Sequence, residues 1–293
     1  MNILAIVSGH RATVGAVLSS QLVAAHPEFT VSAVTCPGSH AGWSDVEAPG
    51  GPLLVLVRSG RFHRATRVGA VELDRTQAYL SAPGEDQRFA HPAGGDECTS
   101  VAVRPALWRQ LAGESPRLVR PTVYVDARLE LAHRRLLAGG DVDYRVAELL
   151  LDLLAGAVAQ VVAGPAPGSA GGSSGSGTRA GAPADRRLVD AARAAINDNH
   201  RASVGLFPLA ALLGASPYRL SRAFRRHQGV SLTRYRNRVR VGQAMERIAA
   251  GEPLAGVAAD LGFSDQAHLT RTVREHVGHT PAAIRRLLGS WPV

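Results

Sequence analysis

A low-complexity segment divides this chain of 293 residues into two parts. Residues 164–184, with the sequence GPAPGSAGGSSGSGTRAGAPA, consist almost entirely of Gly, Ala, Ser and Pro. Such a segment buries too little apolar surface to offset the entropy lost on ordering, so we expect a flexible tether with an end-to-end distance of about 25 Å. The chain should therefore fold as separate units: an N-terminal domain (1–126) followed by a helical segment (127–163), and a C-terminal domain (185–293).

The positive charge of the chain is concentrated in its C-terminal third. Residues 185–293 contain 17 Arg against 8 Asp and Glu, whereas residues 1–163 contain 15 Arg against 16 Asp and Glu. A basic domain of this kind is suited to a polyanion, and the expected partner is double-stranded DNA.

Two cysteines, Cys36 and Cys98, are the only thiols in the sequence. They are too few for a disulfide scaffold or an all-cysteine zinc site, and two interpretations stay open: small buried side chains or a redox-sensing pair. No stretch reaches the roughly 18 uncharged apolar residues needed to cross a bilayer, and no basic run precedes an apolar leader. We therefore expect a cytoplasmic protein with no membrane contact.

Short apolar runs separated by turn signals fill the N-terminal domain. Runs at 53–57, 70–73, 78–80 and 98–103 alternate with SGR, APGED and HPAGGDE, which is typical of an all-β sandwich or barrel. Residues 1–36 read as strand, helix and strand, with the helix over RATVGAVLSSQLVAA. The turn SGHRATVG lacks the G-x-G-x-x-G spacing of a nucleotide site, so no nucleotide cofactor is expected.

Two helices should follow the strands, at 127–137 and 142–162. The second has an apolar stripe at helical spacing, which predicts a buried face. Two partners for this face stay open: the domain of its own chain, or a second subunit in a homodimer. The stripe consists of Val146, Leu149, Leu150, Leu153, Leu154, Ala157, Val158 and Val161.

A helix-turn-helix pattern begins after a first amphipathic helix that ends near 197–200. Residues 209–213 form a short predicted helix closed by Gly214, and Ser216 caps the next helix with Pro217 at its first position. That second helix should bury Leu220, Ala223 and Phe224. Its outward side chains are Tyr218, Arg219, Ser221, Arg222, Arg225 and Arg226.

The pattern recurs 49 residues later. A short helix containing Leu254, Val257, Ala258 and Leu261 is followed by the turn GFS, and Asp265 then starts a helix that should bury Leu269 and Val273. SxxLSRAFRRHQGVS aligns with DQAHLTRTVREHVGHTP, so the C-terminal domain contains an internal repeat. The outward side chains of the second helix are Gln266, Ala267, His268, Arg271 and Arg274.

Residues 186–287 resemble the DNA-binding domain of AraC/XylS-type regulators. The resemblance is carried by LAALLGASPYRLSRAFRRHQGVS, the arginine-rich TRYRNRVRVGQAMERIAAG and LAGVAADLGFSDQAHLTRTVREHVGHTPAAIRR; Gly205 and Pro208 depart from the usual pattern. It implies that two recognition helices, joined by a long helix near 232–249, enter successive major-groove segments about 34 Å apart. The implied base-contact residues are Tyr218, Ser221, Arg222, Gln266, Ala267, His268 and Arg271. Two alternatives stay open: Tyr218 stacks on the sugar-phosphate backbone, and His268 is only a surface residue.

The remaining outward arginines have a different expected role. Arg225, Arg226 and Arg274 should contact phosphates or lie on a solvated face, whereas Arg222 and Arg271, at matched positions, are the candidates for reading guanine. Ala267 limits readout at its position to apolar contact with a thymine methyl group.

In regulators of this type the N-terminal part is often a small cupin-like β-barrel that binds an effector or a partner subunit, and residues 42–104 are similar to that. No H-x-H motif is present, so no metal site and no metal cofactor are expected. The alternative is that the folded chain brings together His63, Glu85 and His91. The predicted fold is thus a cupin-like β-barrel or sandwich followed by an all-α domain of two helix-turn-helix units.

Three functional classes follow from this organisation. The leading one is a transcription regulator with a small-molecule effector and RNA polymerase as further partners. The second, an enzyme fused to a DNA-binding unit such as a methyl-accepting repair protein, would need a cysteine cluster that two isolated cysteines do not supply, so no catalytic residues are assigned. The third is an effector-free regulator whose barrel serves only protein association.

Overall fold

The structure of the protein is a computed structural model that describes residues 19–37, 42–114, 118, 122–138, 144–161 and 183–289. The chain forms two compact units, Met1–Ala166 and Pro167–Val293, here called the N-terminal and C-terminal units. Most of the predicted tether, residues 164–182, lies outside the described residues. Its last two positions, Pro183 and Ala184, instead begin the first helix of the C-terminal unit.

Two antiparallel β-sheets form the core of the N-terminal unit. The larger sheet has the strand order β1-β2-β8-β3-β6-β9, and the smaller sheet has the order β5-β4-β7. The strands are β1 Ser19–His26, β2 Phe29–Cys36, β3 Leu53–Ser59, β4 Phe62–Thr66, β5 Gly69–Leu73, β6 Gln77–Ser81, β7 Gln87–Ala90, β8 Asp96–Val103 and β9 Val123–Tyr124.

Alternation along β3 explains how the larger sheet is covered on both faces. Leu54 and Leu56 lie in an apolar cluster with helices of the same unit, whereas Val55 and Val57 pack with Phe62 of the smaller sheet. Successive side chains of a strand point to opposite faces, so one strand contributes to both cores. The unit is a sandwich of two separate sheets rather than a closed barrel, with helices as a third layer, and the sandwich prediction is confirmed.

The apolar stripe predicted at 142–162 packs against the sheet of its own unit. The helices of this unit are α1 Pro105–Ala112, α2 Ala127–Ala138 and α3 Tyr144–Val161. Leu150, Leu153, Leu154 and Ala157 of α3 are almost completely buried in the cluster that contains Leu54 and Leu56. Packing within the chain, the first of the two alternatives for this stripe, is therefore what the structure has.

Two parts of the sheets differ from the sequence-based expectation. The helix expected through residues 11–25 is wrong where the structure describes it, because Ser19–His26 is a strand that pairs antiparallel with β2. The hairpin closes where His26 pairs with Phe29, and their rings stack at 4.8 Å. β4 and β7 were not predicted because their inward positions include polar side chains, Arg64 and Gln87, which obscure the alternation.

The C-terminal unit is all-α, as predicted. The helix predicted near 232–249 is α7, Leu232–Ala249, and it buries Tyr235, Val241, Met245 and Ile248. Within the described residues, none of the helices is long and apolar enough to span a bilayer. The helices of this unit are α4 Pro183–Asn197, α5 Leu206–Leu212, α6 Pro217–Gln228, α7 Leu232–Ala249, α8 Leu254–Asp260, α9 Gln266–Val277 and α10 Pro281–Leu288.

Candidate nucleic-acid interface

The two predicted recognition helices, α6 and α9, are built alike. Each has 12 residues, and the two start 49 positions apart. Each ends at a glycine in the left-handed region, Gly229 with φ 73° and Gly278 with φ 81°. The repeat found in the sequence is therefore a repeat of structure, down to the residue that ends each helix.

Side-chain caps fix where α6 and α9 begin. The Ser216 hydroxyl accepts a hydrogen bond from the backbone N–H of Arg219 at 3.2 Å, and the Asp265 carboxylate accepts one from His268 at 2.6 Å. The backbone N–H of His268 also lowers the pKa of Asp265, because it stabilises the ionised carboxylate. The predicted cap at Ser216 and Pro217 at the first position of α6 are confirmed, and Asp265, predicted to start α9, is its N-cap.

A left-handed glycine makes each turn between the paired helices. Gly214, after α5, has φ 61°, and Gly262, after α8, has φ 70°. An L side chain at either position would strain the backbone, since these φ values favour glycine. In the first unit, α5 begins at Leu206 with Pro208 in its first turn, and a short 3-10 helix, Arg201–Val204, precedes it.

The outward face of α6 has the predicted composition. All six side chains assigned to it are exposed, and Leu220, Ala223 and Phe224 are buried. Tyr218, with 69% of its surface exposed, accepts a 2.6 Å hydrogen bond from the Arg222 guanidinium one helical turn later. The Arg222 guanidinium also lies 5.4 Å from the centre of the tyrosine ring. This pair lies on the exposed face of the N-terminal half of α6.

An acidic residue of α4 holds two of the α6 arginines. Asp185 accepts hydrogen bonds from Nε and a terminal nitrogen of Arg219 at 3.1 and 3.0 Å, and from Arg226 at 3.3 Å. These contacts join residues 34 and 41 positions apart, so no local motif indicated them. Arg219 and Arg226 are exposed, as predicted, but they are also ion-paired.

The outward face of α9 is less basic than that of α6. Arg271 and Arg274 occupy the positions of Arg222 and Arg225, and both are exposed. At the positions equivalent to Tyr218 and Arg226, α9 instead has Ala267 and Glu275. Gln266 and Ala267 are exposed in the first turn of α9. Consequently Arg271 has no aromatic ring one turn before it.

His268 contacts the turn that precedes α9. Its Nδ1 lies 3.3 Å from the backbone nitrogen and 3.1 Å from the hydroxyl oxygen of Ser264. Its ring meets Phe263 edge-on, with 5.3 Å between ring centres. The side chain is half-buried, in contrast to the exposed residues predicted around it.

The long helix α7 contacts both halves of the repeat. On one side, Tyr235 packs edge-on against Phe224 of α6, with 5.1 Å between ring centres. On the other side, the Arg240 guanidinium lies 3.7 Å from the ring centre of Phe263 and donates a 2.7 Å hydrogen bond to the carbonyl of Leu261. Burial lowers the pKa of Arg240 to about 10. α7 thus fixes the two recognition helices relative to each other.

In the N-terminal unit, His63, Glu85 and His91, whose meeting was the alternative to the expected absence of a metal site, each pair with a different residue. His63 pairs with Glu72 at 3.4 Å, Glu85 with Arg64 at 2.8 Å, and His91 with Asp96 at 2.9 Å. A different group comes together instead. Donor atoms of Cys36, His91 and Asp96 all lie within 4.8 Å of one another, a grouping that the sequence analysis missed.

The two cysteines are both buried and reduced. Burial raises the pKa of the Cys98 thiol, and the neighbouring Asp96 carboxylate raises it further. A redox-sensing thiol requires a lowered pKa and access to solvent, so this environment disfavours the redox interpretation of Cys36 and Cys98.

The C-terminal unit contains two helix-turn-helix units that one long helix holds together. Each unit has a capped recognition helix with exposed arginines. These features define a helix-turn-helix class of DNA-binding domain. Residues 209–287 match a family model described as a helix-turn-helix domain. The C-terminal unit therefore contains a helix-turn-helix domain, and its sequence resembles the AraC-type domain of transcription regulators.

Similar solved structures include three proteins. The C-terminal domain of the response regulator AraT from Geobacillus stearothermophilus is 23% identical over 36% of this chain and 85% of that one, with a TM-score of 0.31. ToxT from Vibrio cholerae is 10% identical over 89% and 99%, with a TM-score of 0.34. A cupin domain from Bordetella pertussis is 16% identical over 32% and 99%, with a TM-score of 0.26. These likenesses are weak, and no curated protein matches the sequence.

Proposed function

We propose that the protein is a sequence-specific transcription regulator whose helices α6 and α9 enter two successive major-groove segments of duplex DNA. The observation that supports this most is the structural repeat: two equivalent capped helices, each with exposed arginines, packed on one connecting helix. The exposed N-terminal turns of both helices suit the approach to base edges and phosphates.

In this proposal the matched arginines read bases. Arg222 and Arg271 each donate two hydrogen bonds to a guanine, and the Tyr218 hydroxyl keeps the Arg222 side chain extended on the helix surface. Ser221 and Gln266 contact neighbouring base edges, and Ala267 contacts a thymine methyl group. Arg225 and Arg274 bind phosphates, which adds affinity without sequence preference.

Three further predicted contact residues receive more limited roles. Arg219 and Arg226 contribute phosphate contacts that the Asp185 carboxylate weakens, because it neutralises part of their charge. His268 acts by holding the turn before α9, through Ser264 and Phe263, rather than by reading a base.

The test is selection of duplexes from a random pool with the full chain. The expected result is a motif of two half-sites whose centres lie about 10 base pairs apart, one helical turn of DNA. Affinity for the selected site should fall steeply as salt is added, since bound phosphates release counterions. A selected motif with one half-site, or no enrichment at all, would contradict the proposal.

The N-terminal unit is proposed to control this activity by binding a small-molecule effector. Burial of the α3 stripe within its own unit removes that stripe as a dimer surface. The alternative is an effector-free regulator whose barrel serves only protein association. The effector proposal expects that some small molecules change the affinity of the full chain for the selected DNA site. If the oligomeric state alone changes that affinity, the association alternative is correct.

A further inference from the structure

Four metal-binding side chains converge at one end of the sandwich. Cys36 is the last residue of β2, Asp96 is the first residue of β8, and Cys98 follows two residues later. In the β2–β8 register Cys36 pairs with Asp96, so these three side chains share one face of the larger sheet. His91 follows β7 of the smaller sheet. The two thiols and the carboxylate thus come from one sheet and the imidazole from the other.

The donor atoms of Cys36, His91 and Asp96 are close enough to share one ion, and Cys98 adjoins this group through Asp96. His91 Nε2 lies 2.9 Å from one Asp96 oxygen, and the Cys98 thiol donates to the other at 3.2 Å. The donor atoms of Cys36, His91 and Asp96 lie within 4.8 Å of one another. Donors around a tetrahedral zinc ion are roughly 3.3–3.8 Å apart, so small movements suffice to surround an ion.

Glycines let the backbone segments that hold these ligands approach closely. A Cβ atom on Gly95 would lie 2.4 Å from the carbonyl oxygen of Cys36. A Cβ atom on Gly60, which has φ 75°, would lie 2.8 Å from the Cα atom of Asp96. Any larger residue at either position would push the strand ends apart. The cluster is therefore held by tight packing of three chain segments, and its geometry does not depend on flexible side chains alone.

We propose that Cys36, His91, Asp96 and Cys98 form a four-coordinate binding site for Zn²⁺. Two thiolates, an imidazole and a carboxylate are ligands that zinc prefers, and harder cations such as Mg²⁺ select oxygen ligands instead. Cys36, Asp96 and Cys98 are buried, and His91 exposes 11% of its side chain, which leaves the site near the surface. The imidazole end of the site is the side from which an ion enters.

Proton release accompanies binding. The ion replaces the thiol protons of Cys36 and Cys98, so these two protons leave for each Zn²⁺ bound. Without the ion, burial keeps the pKa of Cys98 high and its thiol stays hydrogen-bonded to Asp96. Zinc binding would join the larger sheet to the chain that leaves β7, and so stabilise the N-terminal unit.

The site lies wholly within the N-terminal unit, and it does not rest on the proposed DNA-binding function. The test uses the full chain, freed of metal with a chelator and titrated with Co²⁺, whose thiolate charge-transfer and tetrahedral absorption bands report the ligands. The expected result is one equivalent bound, displaced by Zn²⁺ but not by Mg²⁺, and a melting temperature of the N-terminal unit that rises with Zn²⁺ alone. Cys36→Ser, Cys98→Ser and Asp96→Asn should each weaken binding at least tenfold.

The matched control is His63→Gln, which disrupts the other histidine–carboxylate pair of the sandwich, His63 with Glu72, and should leave Co²⁺ binding unchanged. Binding without the thiolate band, or equal binding by Cys36→Ser, would overturn the proposal. If the variants unfold, alkylation of the thiols in the wild-type chain tests the zinc site instead. Bound Zn²⁺ should slow the modification of both Cys36 and Cys98, and modification at the same rate with and without Zn²⁺ would overturn the site.

Discussion

Asp185 on α4 holds Arg219 of the first recognition helix through two hydrogen bonds of 3.1 and 3.0 Å, and it also pairs with Arg226 at 3.3 Å. One carboxylate thus reduces the positive charge of the face that is proposed to meet DNA. The more basic of the two recognition helices is the one that carries this acidic partner. The effect of Asp185 on DNA binding can therefore be measured by replacing this residue.

Asp185→Asn should strengthen DNA binding without changing sequence preference. The substitution frees Arg219 and Arg226 for phosphate contacts, which are independent of sequence. We expect a gain of about threefold to tenfold at low salt and a salt dependence steeper by about one phosphate contact. Fluorescence anisotropy over a salt series measures both quantities.

Asp190→Asn is the control, since this residue lies on the same helix and its carboxylate pairs with Arg193 of that helix at 3.6 Å. Equal effects of the two substitutions, or weaker binding by Asp185→Asn with an intact fold, would show that the Asp185 contacts do not restrain phosphate binding.

The exposed arginines of α6 and α9 should divide into residues that read bases and residues that contact phosphates. Arg222→Ala and Arg271→Ala should each cost about 1–3 kcal/mol on the selected DNA site and relax preference at one base pair. Arg225→Ala should weaken binding to all sequences alike, because it removes only a phosphate contact. Affinities for the selected site and for single-base variants of it measure the difference. If the three variants lose affinity in the same proportion on every duplex, the division into base readers and phosphate contacts is wrong.

Phe224→Ala should destabilise the C-terminal unit by about 3–5 kcal/mol. The Phe224 ring is buried and packs against Tyr235, so its removal leaves a cavity between α6 and α7. Phe207→Ala is the matched control: the ring of Phe207 on α5 is 75% exposed, and its removal should change stability by less than about 0.5 kcal/mol. Denaturant unfolding followed by far-UV circular dichroism measures both. A loss of similar size for the two variants would contradict the packing described for α6.

The N-terminal unit should lose stability on acidification through His133. Burial lowers the pKa of this side chain to about 4, and its Nε2 lies 2.8 Å from the Thr99 hydroxyl. The unfolded chain binds the proton more readily, so stability is complete above pH ~6.5 and is lost as the pH falls towards 4, by up to about 3 kcal/mol. His133→Asn should flatten the dependence of unfolding free energy on pH over this range. The same dependence in wild type and variant would rule out His133 as its source.

Local signals in the sequence accounted for most of the C-terminal unit. Ser216 and Asp265 marked the starts of α6 and α9, and Gly214 and Gly262 marked the turns before them, because caps and left-handed glycines act within a few residues. The repeat then supported both helix-turn-helix units at once. The proposed contact residues remain predictions as regards DNA.

Contacts between residues far apart in the sequence could not be predicted from such local signals. Arg64 lies inside the sandwich with Gln87, Ser81 and Glu85 around its guanidinium. Because such polar groups occupy inward positions, β4 and β7 do not show the apolar alternation by which a strand is predicted. Asp185 meets its arginines only through the packing of α4 on α6. The cluster of Cys36, His91 and Asp96 depends on the pairing of β2 with β8, which lie far apart in the sequence.

α6 and α9 should bind DNA together, as one rigid reader of two groove segments. Hydroxyl-radical footprinting of the full chain on its selected site tests this most directly. Two protected patches are expected on one face of the duplex, about one helical turn apart, and Arg271→Ala should weaken both together. A single protected patch that disappears with Arg222→Ala and is unaffected by Arg271→Ala would contradict it.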